Sequence, residues 1–156
     1  MNKETESIIS TMQEILSGSP WFGKSVLTIL DDINPDIVHK KPKENAHSMI
    51  ELLYHMVTWI EFTQHRLEKV QQTDTAAFNA LDWRATNSTD HTWNTGISNV
   101  KAGTNKIIEL LKKASGQLLE EKVDYREYNF RYLLNGLMQH NIYHLGQIAY
   151  VNKLLS

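Results

Sequence analysis

Four stretches of this 156-residue chain repeat apolar residues at the period of an α-helix, and two of those stripes carry histidine where a hydrophobic side chain is expected. The first covers residues 4–16 and sets Ile8, Met12 and Ile15 on one face. The second covers residues 48–71 and aligns Leu52, His55, Trp59 and Phe62, with Met49, Leu53, Met56, Ile60 and Leu67 beside them. The third begins at Ser88 or Thr89 and ends at Gly116. In it Trp93, Ile97, Val100, Thr104, Ile107 and Leu111 recur at alternating steps of four and three. The fourth covers residues 128–155 and aligns Phe130, Leu133, Leu137, His140, His144, Ile148 and Val151. None alternates with the period of a strand. A chain that must bury four such stripes reads as all-α, a four-helix bundle with short extra helical turns in its loops.

The punctuation agrees with that division. Gly18-Ser19-Pro20 stops the first helix, because proline cannot continue it. A shorter helical piece then carries Val26, Leu27, Leu30 and Ile33, and Asn34-Pro35 begins another turn. Ser48 and Glu51 have the capping-box spacing at the head of the second long helix. Lys112 and Lys113 suit the last turn of the third, and Gly116 fits just past its end. Residues 72–90 show no sustained period, though Phe78, Leu81 and Trp83 are apolar. A connection of that length usually has a task, as a lid or an oligomer contact, or packs its own aromatics.

Length and composition place the chain as one domain, 1–156, with a sizeable core. The absence of cysteine excludes disulfides, thiolate ligands and an internal sulfur nucleophile. The first ten residues do not read as a signal peptide, and no apolar run approaches the roughly 20 residues of a membrane span. The expectation is a soluble, cytoplasmic protein with no membrane partner. Net charge is −2, and the one basic run, residues 39–43, is short and contains a proline. Nucleic acid is therefore not an expected partner.

The histidines carry the chemistry. His140 and His144 are spaced i, i+4, which puts both rings on one side of a helix, one turn apart. Flanked by Leu137 and Ile148, they belong to the buried stripe, where an unpartnered imidazole is costly. His55 occupies the equivalent place on the second helix. Three imidazoles from two core faces supply three nitrogen ligands and leave a coordination position free, which is the layout of a catalytic rather than a structural site. Buried histidines satisfied by ordinary hydrogen bonds remain the alternative at this point. Gln147, three residues after His144, is placed to touch a ligand from behind. Trp59 and Tyr143 are candidates to line a pocket, with core packing the plainer reading of each. His47 and Glu51 are the available proton-transfer candidates. His47 directly precedes the Ser48 cap, and the capping box already explains Glu51.

These residues resemble the DinB-like superfamily of metal-binding four-helix proteins, over most of the chain. Ala46 to Trp59 (AHSMIELLYHMVTW) is similar to the second-helix motif of that family with its single ligand histidine. Gly136 to Leu155 (GLMQHNIYHLGQIAYVNKLL) is similar to its last-helix signature, H-x-x-x-H-x-G-Q-I. The early SPWFGKS and the mid-chain LDW sit where related sequences carry tryptophan-containing turns. The resemblance implies His55, His140 and His144 as metal ligands, one divalent ion (zinc or nickel), and a homodimer. It also implies an enzyme that activates a low-molecular-weight thiol or water for transfer or hydrolysis on a small electrophilic substrate. A non-catalytic, stress-related metal- or ligand-binding protein is the other functional expectation. Because the chain has no cysteine, any sulfur nucleophile must arrive as a cosubstrate.

Overall fold

The computed structural model describes residues 2–70 and 75–156. Among the described residues six α-helices follow in order: α1 Lys3–Ser17, α2 Val26–Asp31, α3 Met49–Leu67, α4 Thr75–Leu81, α5 Trp93–Lys113 and α6 Phe130–Leu155. Two 3-10 turns, Pro35–Ile37 and Leu118–Glu120, lie in the connections. Among the described residues the only β-type pairing is an isolated bridge between Lys122 and Asn129. The four long helices pack as the expected bundle. No described helix is long and apolar enough to cross a membrane.

The apolar stripes make the core. On α3, Leu52, Leu53, Met56, Ile60 and Phe62 are all 2% exposed or less. Each such side chain contributes roughly 1.5–3 kcal/mol by leaving water. Helix α5 closes on α3 through two glycines. A Cβ on Gly96 would stand 2.5 Å from Leu53 Cδ2, and one on Gly103 would stand 2.5 Å from Ile60 Cγ2. Deep burial of α3 between α5 and α6 brings His55, in the middle of that helix, to face the last helix.

The helix starts have clear causes. Ser48 and Glu51 form the full capping box: the Ser48 amide donates to Glu51 Oε2 (2.8 Å), and the Glu51 amide donates to Ser48 Oγ (3.3 Å). Asn129 caps α6 by accepting from the Tyr132 amide. Helix α5 starts at Trp93, with Thr92 as its cap, rather than at Ser88 or Thr89. Asn87 accounts for the difference, since its side chain accepts from the Thr89 and Asp90 amides and holds that segment as a turn.

The ends differ more from expectation. Helix α3 stops at Leu67, and the expected end at Gln71 lies outside the described residues. Lys69 adopts a left-handed φ of 54°, and the Lys69 and Val70 amides donate back to Arg66 and His65 carbonyls. This is the reverse turn that normally uses glycine, here made by a lysine. Helix α5 ends at Lys113 on an extended Ala114, so Gly116 lies beyond the terminus. The 72–90 connection is not featureless: its described part contains α4, whose Phe78 is buried against Phe62.

Candidate metal centre

His55 projects from α3 and His140 and His144 from α6, and one nitrogen of each ring lies within 4.8 Å of the others. The ring centroids are 4.7 Å apart for His55 and His140, 4.4 Å for His55 and His144, and 4.4 Å for His140 and His144. His55 and His144 are buried and His140 is half-buried. Residues 85 positions apart in sequence thus meet, His55 Nε2 lying 2.8 Å from His140 Nε2.

What lies behind two of the rings, His55 and His144, fixes which nitrogen each presents. His55 Nδ1 is 2.8 Å from Asp82 Oδ1 and 3.1 Å from the Asp82 carbonyl oxygen. With Nδ1–H donated to Asp82, the Nε2 lone pair faces the other histidines. His144 Nδ1 donates to Gln147 Oε1 at 2.6 Å, which leaves Nε2 as its free nitrogen. Histidine ligands of metals are oriented by acceptors of this kind, which also raise ligand basicity. Tautomers here follow from the acceptors, since Asp82 and Gln147 Oε1 offer no proton.

Burial first, and then the neighbouring His144 and His55 rings, push the His140 imidazole down to about 4. Burial likewise lowers His144, against the opposing effect of the hydrogen bond it donates to Gln147. Both rings are therefore neutral at pH 7, the form that binds a cation. Among the described residues no fourth histidine, aspartate or glutamate joins the group. The donor set fits a divalent ion: three imidazoles, two with tautomers fixed from behind, and no further protein ligand. Imidazole accepts zinc, nickel, copper and iron alike, so the set does not choose among them.

The segment after α4 contributes as much to this arrangement as the helices. Asp82 Oδ1 accepts from the Trp59 indole N–H at 2.7 Å as well as from His55. Trp83 stacks on His55 with centroids 3.9 Å apart and planes 8° apart. Its other neighbour is His47, stacked at 3.8 Å and 13°. Thr58, wholly buried on α3, anchors the segment: Arg84 Nη2 donates to Thr58 Oγ1 at 2.6 Å, and that hydroxyl lies 3.1 Å from the Leu81 carbonyl oxygen. Sequence periodicity reaches neither Asp82 nor Trp83. The LDW triplet was the available signal, and it marks a turn without saying what its aspartate holds.

The remaining candidates divide clearly. Gln147 sits behind His144, as its i+3 spacing implies. Trp59 is half-buried and lines a cleft while holding Asp82, so it is more than core. Tyr143 is 64% exposed, which corrects the core-packing reading; its ring meets His144 edge-on at 4.9 Å, and its hydroxyl lies 3.4 Å from Gln147 Nε2. Both Glu51 oxygens are engaged, one by the Ser48 amide and one by Lys41 Nζ at 3.0 Å. Burial pushes the Glu51 carboxyl up, but the Ser48 and Lys41 contacts outweigh it and the net displacement is downward. His47 is half-exposed, with Nδ1 3.7 Å from Glu51 Oε2.

The cleft lies beside His140 between α3 and α6, has a volume of about 180 Å³, and is walled chiefly by Trp59, Tyr128, Tyr132, Leu133 and Leu137. Of the three histidines, His140 alone lines it.

A family model described as the DinB superfamily matches residues 23–148. That span includes the three histidines, Asp82 and Gln147. No curated protein and no solved structure shows a significant match to the chain.

Proposed function

The chain belongs to the DinB superfamily, and on that premise we propose that it is a divalent-metal-dependent enzyme whose His55, His140 and His144 hold one ion with a coordination position left open. Zinc or nickel held by these three residues would supply Lewis-acid activation of a low-molecular-weight thiol or a water, for transfer to, or hydrolysis of, a small electrophile. The observation that carries this reading is the pair of acceptors behind the rings, Asp82 on His55 and Gln147 on His144. A histidine cluster kept only for packing has no need of two acceptors that turn its lone pairs toward one another.

When bound in such a site, a divalent ion would lower the pKa of a coordinated water to about 7 and would hold a coordinated thiol as its thiolate at neutral pH. The chain's own residues do the rest. Asp82 and Gln147 hold the ligand tautomers. Trp83 covers one face of His55 and keeps that ring from rotating. Glu51 is committed to its helix cap and to Lys41, which leaves His47, half-exposed and stacked on the face of Trp83 opposite His55, as the remaining proton-transfer candidate. With no cysteine in the chain, the sulfur of a thiol reaction is a cosubstrate's.

The test is turnover. Protein loaded separately with zinc and nickel is offered a panel of low-molecular-weight thiols with a model electrophile, and a parallel set of hydrolase substrates. Activity is expected with at least one metal and one nucleophile, and is expected to vanish in His140→Ala. Full occupancy of one ion per chain without turnover in any combination would leave a binding protein and overturn the catalytic reading.

A further inference from the structure

The glycines of the bundle separate into two kinds. Those of α5, Gly96 and Gly103, are required by the closeness of α3. Gly136, in the second turn of α6, is not: a Cβ there would find nothing within 4 Å. A glycine inside a helix costs about 0.5–1 kcal/mol relative to alanine, and here no neighbour requires it. What occupies the space is the cleft, which Gly136 lines one turn before His140. Gly146 has equally open surroundings but is exposed and lines no described cavity.

We infer that this cleft seats the apolar body of the substrate, an uncharged hydrocarbon ring or branched chain about the size of toluene, with its reactive end toward His140. The size follows from the volume. A dry apolar cavity of roughly 150 Å³ holds benzene, and this one measures about 180 Å³. The chemistry follows from the walls. No lining residue carries a fixed charge, and the Thr63 hydroxyl that borders it is already donated to the Trp59 carbonyl at 2.9 Å. The Arg126 and Arg66 guanidiniums stand close enough to Tyr128, at the margin of the cleft, to act on its hydroxyl electrostatically, and they oppose a cationic ligand. Trp59 connects the cleft to the triad, because the indole that forms one wall also donates to the carboxylate oxygen that holds His55.

Naming the occupant a substrate rests on the metal-centre reading, whereas the chemistry of the cleft stands apart from it. The experiment keeps the two separate. The indole N–H resonance of Trp59, assigned with Trp59→Phe, is followed in nitrogen–proton correlation spectra of zinc-treated protein. Toluene, benzylammonium and inositol are titrated in turn, and bound zinc is measured on the same samples. Toluene is expected to shift the resonance saturably, with the other two at least tenfold weaker. Gly136→Phe, which puts a ring into the cleft, is expected to abolish the shift with zinc content unchanged and the melting temperature no lower than that of the wild type. Gly136→Ala, the gentler variant, is expected to weaken toluene several-fold. Failure of toluene to bind, equal binding of benzylammonium or inositol, or undiminished binding of toluene to both variants would overturn the inference. Toluene binding to a wild-type protein that takes up no zinc would support the cleft and remove the metal reading.

Discussion

Helix α6 and the short segment 82–84 hold the same site in different ways. On α6 His140, His144 and Gln147 are set by one helical period, so placing any one of them places the others. The 82–84 segment has no period. Its Asp82 and Trp83 reach His55 because Thr58, Trp59 and Arg84 pin the chain there through hydrogen bonds. The lesson concerns division of labour: regular structure supplies the donors, and an irregular strap fixes how one of them is presented.

The largest effect should come from the helices. His144→Ala removes a donor, and zinc affinity measured by competition with a chromogenic chelator should fall by more than about 100-fold, beyond the usual range for losing a partner behind a ligand. The strap should come next. Asp82→Ala leaves all three donors but frees His55 Nδ1, and the same titration should show a loss of about 10–100-fold. An equal loss in the two variants would erase the distinction and make Asp82 a ligand in its own right.

Acid separates the site from the rest of the bundle. Above about pH 6.5 the His140 and His144 rings are neutral in folded and unfolded chains alike, so they add no pH dependence. Below that, the unfolded chain takes up protons that the buried rings refuse, and stability falls as the pH drops toward the lowered His140 value of about 4. Thermal melts of metal-free protein should record a falling midpoint across that window, and His140→Gln should flatten it. A midpoint that rises on acidification would contradict the burial of these rings.

The smallest effect lies outside the comparison and serves as its control. Ser48→Ala removes the α3 cap at a cost of about 1 kcal/mol, visible in denaturant unfolding, with zinc affinity unchanged. A change in affinity would mean that the start of α3, and not only its middle, positions His55.

The sequence made legible whatever a repeat distance determines. The four stripes, the capping box at Ser48 and the three histidines follow from spacing, and the structure brings those histidines together. Helix ends were less legible because backbone geometry decides them. Lys69 makes a left-handed stop that its side chain does not advertise, and Asn87 holds back the start of α5. Asp82 was illegible for a stronger reason. Its role depends on where a 23-residue separation from Trp59 returns to α3, and only tertiary packing sets that. Tyr143 shows the converse. It shares α6 with His144, and aromatic character suggested core, yet its ring lies on the outer edge of the site.

Zinc K-edge X-ray absorption on the zinc-loaded protein, with and without an added low-molecular-weight thiol, tests the central claim most directly. The expected spectrum has three imidazoles and one light, exchangeable ligand, with a sulfur scatterer near 2.3 Å appearing when thiol is added. Fewer than three imidazoles, or a shell of four protein donors that no additive alters, would contradict an open site built by His55, His140 and His144.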